Sequence, residues 1–410
     1  MDDKPKLTAV SIMEAARETV ALEGPDGEGK APTYQNVFPE AVCTLSPPLI
    51  LPGDTAIAWT ARTQALPPAM MARFHRPIVA HCGAVFMPDE ETFIYERRAM
   101  YPMRVNGQDY GECLDDNEDY LVKPVDAAPM PGACLVMGLM PRMNVASWFH
   151  WTIEMLPRFM VAEAFPYLAE LPIIMNDDLS PAQEDSLCAL GVNPDRIVPN
   201  SRQVLRPEVA YCPSFTGRDY LPSPKAVAWF RKKVLSHFAI KSNGAPQGAP
   251  RGSQRLLYLS RADAPRRHIS NDGEVAQTLS QMGFEYFLAS KKSFREQVEA
   301  FAHARIVVAA HGAGMANIIF CQPGTLIIEF YPHIPGAEAG ISFYYPGLSN
   351  VCGHIHAVLR GEEYDDNHNY HVDPAKLADL ITRMLNGGDL DRAKFQKEVE
   401  DGLIISQEKA

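Results

Sequence analysis

The run Ile306-Val-Val-Ala-Ala310, followed at once by His311-Gly312-Ala313-Gly314, constrains the fold of this chain more than any other stretch. Five apolar residues, rich in β-branching and without polar alternation, read as a strand buried on both faces of a parallel sheet. The glycines let the backbone turn sharply or approach a neighbour closely. Met315 to Phe320 reads as a helical turn re-entering the interior, and Thr325 to Phe330 as a second strand behind the Pro323-Gly324 turn. Strand, turn, helix and strand make a βαβ unit, and the free amides at such a helix start suit an anion such as phosphate. A plain tight connection would use the same glycines. A dinucleotide fingerprint is disfavoured, because Asn317 stands where its third small residue belongs and no acid follows about 20 positions on.

A chain of 410 residues has room for two such cores. Hydrophobic content of 46% and charged content of 21% belong to an ordinary globular protein. The net charge of -12 argues against non-specific binding to nucleic acid, so an anionic ligand has to be held by local cations. The 8 cysteines stand singly, without a Cys-x-x-Cys pair, which suits free buried thiols in a reducing compartment. The start Met1-Asp-Asp-Lys-Pro-Lys carries no apolar signal core, and no run of about 18 apolar residues occurs. The expectation is a cytoplasmic protein.

Residues 1–130 read as a β-rich region, with strands at Ala56–Trp59 and Pro77–His81 between Pro-rich turns and a solvated acidic loop at Asp115–Asp119. From 131 to 240 strands and helices alternate, as in a parallel sheet covered on both faces. The last helix there, Ser223 to Phe238, carries Lys225, Arg231, Lys232 and Lys233 beside Trp229 and Phe230. That face could touch a membrane, although a docked helix with a solvated basic side is the simpler reading. Residues 241–253 have linker composition, and a second α/β domain spans 254–360, with terminal helices over 361–410.

Two constellations carry chemistry. Beyond the strand ending at Leu259 lies a loop with Arg261, Arg266 and Arg267 ahead of Asn271, at the carboxyl end of a buried strand, where open α/β sheets bind ligands. Arginine forks match phosphate oxygens, so this loop and the His311 turn could grip a diphosphate from two sides. In the first half, His150, Glu154 and Arg158 fall at i, i+4 and i+8 among Trp, Phe, Ile and Leu. On a regular helix they share a face, as a general base with its orienting carboxylate or as a structural Glu154–Arg158 pair. Pro157 disturbs that register. His354, His356, His368 and His371 lack an acid or thiol to complete a metal set, and no Gly-x-Ser-x-Gly elbow occurs.

Taken together, His150-Trp151 with Glu154 and Pro157-Arg158, Leu259-Ser260-Arg261 with Arg267 and Asn271, Gly283-Phe284-Glu285, Ser293-Phe294 with Gln297-Val298, and His311-Gly312-Ala313-Gly314 with Asn317, Phe320, Pro323-Gly324 and Glu329 resemble glycosyltransferase family 61. Its bacterial members are often described as capsular polysaccharide biosynthesis proteins. The resemblance covers about Ala133 to Pro332. It implies a GT-B fold, two Rossmann-like doubly wound domains facing a cleft, with the β-rich residues 1–130 belonging to the acceptor domain. It also implies inverting transfer from a nucleoside-diphosphate sugar to a glycan or lipid-linked glycan, without metal or other cofactor. On this resemblance the base is His150 or Glu154, and Trp151 and Arg158 serve the acceptor. Arg261, Arg267, Asn271, His311, Gly312, Ala313, Gly314, Asn317 and Glu329 serve the donor. Such an enzyme would work in the cytoplasm, with peripheral contact to the inner face of the membrane as an option. Family members often carry Asp at the position of Glu154, and Leu-Thr at Met315-Ala316. A non-catalytic sugar-nucleotide or glycan-binding scaffold, and an NAD-dependent sugar enzyme, are the alternatives.

Overall fold

The computed structural model describes residues 6–10, 18–19, 22, 33–46, 48–50, 61–80, 85–87, 92–94, 103–105, 108–113, 119–122, 127–138, 147–175, 179–200, 203–218, 220–241, 255–331 and 344–386. The chain packs as two compact units, one of Met1–Ala41 with Leu66–Arg218, the other of Val42–Ala65 with Asp219–Ala410.

The first unit holds one mixed sheet. One end of it is a parallel set formed by β2 (Ala128–Val136), β3 (Ile173–Met175), β4 (Ile197–Pro199) and β5 (Leu205–Pro213), in the order β5-β2-β3-β4. The strand β1 (Ala69–His75) pairs antiparallel with β5 and carries the sheet on into N-terminal strands. Most of the described strands before residue 130 therefore belong to this same sheet. Met70, Ala72, Phe74, Cys134, Val136, Ile174 and Cys212 form the core beneath it. The helix α1 (Pro181–Ala189) starts behind Ser180, whose reciprocal bonding with Gln183 closes a capping box. Ala56–Trp59 and most of Asp115–Asp119 lie outside the described residues.

The second unit is doubly wound. Its strands β6 (Arg255–Leu259), β7 (Glu285–Phe287), β8 (Ala304–Ala310), β9 (Leu326–Tyr331) and β10 (Ile355–Arg360) are all parallel, in the order β7-β6-β8-β9-β10. Written by chain position this is 2-1-3-4-5, with the switch point between β6 and β8. The helices α2 (Pro224–His237), α3 (Asp272–Gln281), α4 (Phe294–Ala302), α5 (Tyr344–Cys352) and α6 (Pro374–Asn386) complete the unit. α4 shows why the sequence folds locally. Ser293 Oγ accepts from the Glu296 amide at 3.3 Å while Glu296 accepts from the Ser293 amide at 2.9 Å, and Phe294, Val298 and Phe301 line one buried face. Each such side chain contributes about 1.5–3 kcal/mol by leaving water.

Two domain expectations change. The division falls between Arg218 and Asp219, ahead of the 241–253 stretch, so α2 packs in the second unit with Phe230 against Phe320 at 5.8 Å. Linker composition reports missing core residues, but not which core the preceding helix joins; residues 242–253 themselves lie outside the described residues. Leu49–Ile50 also leaves the N-terminal region to pair with Ala357 and Val358 at the edge of the second sheet.

His354 makes this unit acid-sensitive. Its Nδ1 is buried without a partner among the described residues, its Nε2 lies 3.4 Å from the Cys321 carbonyl, and burial pulls its pKa from 6.5 down to about 3. The unfolded chain then binds the extra proton first, so stability is lost as pH falls from 6.5 towards 3, by about 2 kcal/mol at pH 5. His354→Leu is expected to flatten that slope, read from urea midpoints at pH 7 and pH 5. An unchanged slope would place its source elsewhere.

Candidate functional site

In the first unit the crossover from β2 to β3 begins with a helical turn at Trp148–His150, widens to a π-helix over Trp151–Met155, and resumes as an α-helix at Arg158–Ala162. Pro157 explains the break: without an N–H it cannot continue the i→i−4 ladder, and the Leu156 amide instead donates five residues back to Trp151 at 2.9 Å. π-turns of this kind recur at functional sites. Here the turn keeps His150 and Glu154 together, with Nδ1 2.7 Å from Oε2, while directing Arg158 elsewhere. The His150 side chain is 19% exposed and Glu154 only 8%, so the carboxylate lies beneath an accessible imidazole.

Arg158 is 0% exposed. Its guanidinium donates to the carbonyls of Met137 at 2.5 Å and Pro213 at 2.8 Å and reaches that of Val136 at 3.4 Å, binding the strand ends of β2 and β5. The single shared face for His150, Glu154 and Arg158 is thus corrected, because the extra residue in the π-turn re-registers the helix. Trp151, 1% exposed, donates from Nε1 to Ser186 Oγ at 2.8 Å. Neither Trp151 nor Arg158 presents surface to an acceptor in this conformation.

In the second unit the loops after β6 and β8 meet at the switch point. Arg261 lies against the backbone of Gly312 so closely that a Cβ there would stand 1.8 Å from Nη1 and 2.3 Å from Cζ. Gly312 has extended backbone, so close approach rather than positive φ requires the glycine. Gly314 has ordinary room, its nearest neighbour being Leu259 at 3.7 Å. The helix that follows, Ala313–Phe320, is a 3₁₀-helix throughout rather than an α-helical turn. Its amides at Ala313 and Gly314 precede the first internal bond, Met315 N–H to the Gly312 carbonyl at 2.9 Å. Arg267 adopts φ of 57°, placing a second cation in the field of the first. Burial, and then the Arg267 charge, push the Arg261 guanidinium below its ordinary value. Neither arginine forms an ion pair among the described residues. Among the described residues, Arg261 Nε and the Tyr331 hydroxyl are both buried without a partner. Like charges held together beside unsatisfied donors form a site for an anion.

Beneath this loop, the Glu329 carboxylate is 1% exposed and is held by both His311 Nδ1 and His356 Nε2, the latter at 2.9 Å. Burial alone would raise its pKa, but the two imidazole bonds outweigh burial and hold it at about 2. Tyr345 donates to the Gly312 carbonyl at 2.5 Å, and its ring lies 5.4 Å from that of His311. Asn271 and Asn317 orient loops. Asn271 accepts from the Val372 amide and donates to its carbonyl at 2.8 Å, while Asn317 donates to Gln297 at 2.8 Å.

Arg261, Arg267, His311, Gly312, Ala313, Gly314 and Glu329 are therefore gathered around one switch point, and His150 with Glu154 form a separate dyad in the other unit. Sequence reading missed Tyr331, Tyr345, Ser349 and the partnership of His356. Only His356 carried a legible signal, a polar residue inside a strand whose neighbour, β9, also holds a lone carboxylate. Among the described residues no group of three His, Cys, Asp or Glu is placed to hold a metal ion, and no helix is long and apolar enough to cross a membrane.

The His150–Glu154 dyad and, from the second cluster, Arg261, Arg267 and the His311–Gly314 turn fall inside one stretch of likeness to known proteins, while Glu329 and His356 lie beyond its end. Residues 148–328, from the His150 helix to β9, match the family model Glycosyltransferase 61. The rice (Oryza sativa subsp. japonica) Beta-1,2-xylosyltransferase XAX1 is 29% identical over 124 residues, 29% of this chain and 21% of the rice protein, so the match spans about a fifth of that relative. Among solved structures, the dodecameric iron-containing heptosyltransferase TibC in complex with ADP-D-beta-D-heptose aligns over 91% of this chain and 100% of its own, at 10% identity and a TM-score of 0.29.

Proposed function

We propose, from the match of residues 148–328 to the Glycosyltransferase 61 model, that this chain is an inverting, metal-independent transferase of GT-B architecture, acting from a nucleoside-diphosphate sugar on a hydroxyl of a glycan. The observation that carries this reading is the Arg261–Arg267 couple at the 2-1-3-4-5 switch point, without an ion pair among the described residues and with Arg261 Nε and the Tyr331 hydroxyl buried and unsatisfied among them. A leaving diphosphate supplies the acceptor oxygens that these donors lack. The name of the rice relative makes xylose the first donor sugar to try. A lipid-linked acceptor of a capsule-type polysaccharide, met at the inner face of a membrane, fits the exposed Lys225 and Lys232 of α2.

The reaction is a single displacement. His150, oriented through Nδ1 by Glu154, accepts the proton of the acceptor hydroxyl at Nε2. The acceptor oxygen bonds to the anomeric carbon from the face opposite the diphosphate, whose bond to that carbon breaks. The negative charge released is taken by Arg261, Arg267 and the amides of Ala313 and Gly314.

The test is thermal stability of the EDTA-treated full chain with UDP, GDP, dTDP, CMP and NAD. One nucleoside diphosphate is expected to stabilise it, by about 2.7 kcal/mol at a hundredfold excess over Kd. Arg261→Ala should abolish the shift. Gly312→Ala should do the same by expelling the Arg261 guanidinium, so the double variant should be no worse than Arg261→Ala alone. Stabilisation by NAD alone, by a metal-dependent ligand, or by none of the five would overturn the reading.

A further inference from the structure

His311 is one end of a buried chain of four groups: His311 Nδ1 to Glu329 Oε1, Glu329 Oε2 to His356 Nε2 at 2.9 Å, and His356 Nδ1 to Ser349 Oγ at 2.8 Å. The chemistry of the partners fixes its proton order. An ionised carboxylate only accepts, so both nitrogens facing Glu329 carry hydrogen. A neutral His356 then has a bare Nδ1, which accepts from the Ser349 hydroxyl. Every proton is thereby assigned except the one on His311 Nε2, an atom with no hydrogen-bond partner among the described residues.

Resting on the donor-site reading above and deepening it, we propose that Ser349, His356 and Glu329 are positioning residues which lock His311 as its Nδ1–H tautomer, so that Nε2 takes up one proton as the diphosphate arrives. While His311 is neutral, the two arginines carry the positive charge that faces the diphosphate. The incoming phosphate charge raises the proton affinity of Nε2, and the imidazolium becomes a third cation against the leaving group. That proton is held between Nε2 and a phosphate oxygen and can follow the diphosphate when the bond to the anomeric carbon breaks.

The groups facing His311 from each packed element agree with that direction. Glu329 and Tyr331 come from β9, and His356 behind Glu329 comes from β10. Tyr344 and Tyr345 come from α5, the latter in the field of Arg261 and Arg267 from the loop after β6. The Tyr370 hydroxyl reaches the His311 backbone. Glu329 would attract an imidazolium and the two arginines would repel it, so an anion that offsets the arginines favours the charged ring.

The experiment is ¹⁵N imidazole NMR of the full-length histidine-labelled protein at neutral pH, free and with UDP, GDP, dTDP or inorganic pyrophosphate, assigned with His311→Gln and His356→Gln. In the free protein His311 should show the Nδ1–H and His356 the Nε2–H tautomer. On binding, His311 should become doubly protonated, with uptake of up to one proton measured by calorimetry in buffers of different ionisation heat. His356→Ala should release Glu329, mix the His311 tautomers and weaken binding about tenfold, while His356→Gln, whose amide still donates to Glu329, should restore both. A free His311 in the Nε2–H form, or unchanged His311 signals in His356→Ala, would overturn the relay even with binding intact. Binding without proton uptake would overturn the coupling. Failure of all four probes to bind would overturn the donor-site reading and the uptake with it, while the relay would still stand or fall on the tautomers of the free protein.

Discussion

Arg158→Ala is expected to destabilise the first unit by about 3–5 kcal/mol, because it removes the donor that holds the strand-end carbonyls of Met137, Val136 and Pro213. The fully buried guanidinium is surrounded by those carbonyls and by the ring of Phe215, 5.3 Å away. Truncation strands the three oxygens and leaves a void between helix and sheet. Arg158→Lys should rescue little, since one ammonium cannot span carbonyls of two strands in the geometry of a planar fork. Urea unfolding is the measurement. An acceptor-binding arginine would behave in the opposite way, leaving the midpoint unchanged and raising KM for the acceptor.

The placement of Arg158 shows what the sequence could and could not convey. Helical spacing correctly joins His150 to Glu154 across four residues, and Pro157 marks where the register breaks, but which way the chain turns afterwards depends on carbonyls supplied by strands far away in sequence. β6, β8 and β9 were legible because strands buried on both faces are continuous apolar runs. β5 was not, since Arg206, Pro207 and Glu208 interrupt Leu205–Pro213, although it pairs with both β1 and β2. The Glu329 network was partly legible. A lone carboxylate within Leu326–Tyr331 has to find donors, yet naming His311 and His356 needs the register of three parallel strands, with Glu329 opposite Ala309 on one side and Val358 on the other. Tyr331 and Tyr345 left no trace, because an aromatic in an apolar run has the same pattern whether its hydroxyl meets a ligand or the core.

The largest effect on turnover is expected at His150. Removal of a positioned general base costs roughly 10²–10⁴-fold in rate, so His150→Ala should lower kcat by that order while leaving the thermal shift by nucleoside diphosphate intact, the donor site lying in the other unit. Glu154→Gln should cost less, roughly 10–10³-fold, for the glutamine oxygen can still accept from Nδ1 and keep the tautomer, but cannot stabilise the imidazolium. The two losses should not add, because Glu154 acts through His150: in a double variant the second substitution has nothing left to remove. Steady-state transfer with the donor selected by the stability screen measures all three. If Glu154→Gln is as damaging as His150→Ala and the losses multiply, the carboxylate takes the proton itself and His150 is its neighbour. If both single variants turn over normally, the base lies outside this helix, and the His150–Glu154 pair belongs to the packing of the π-turn.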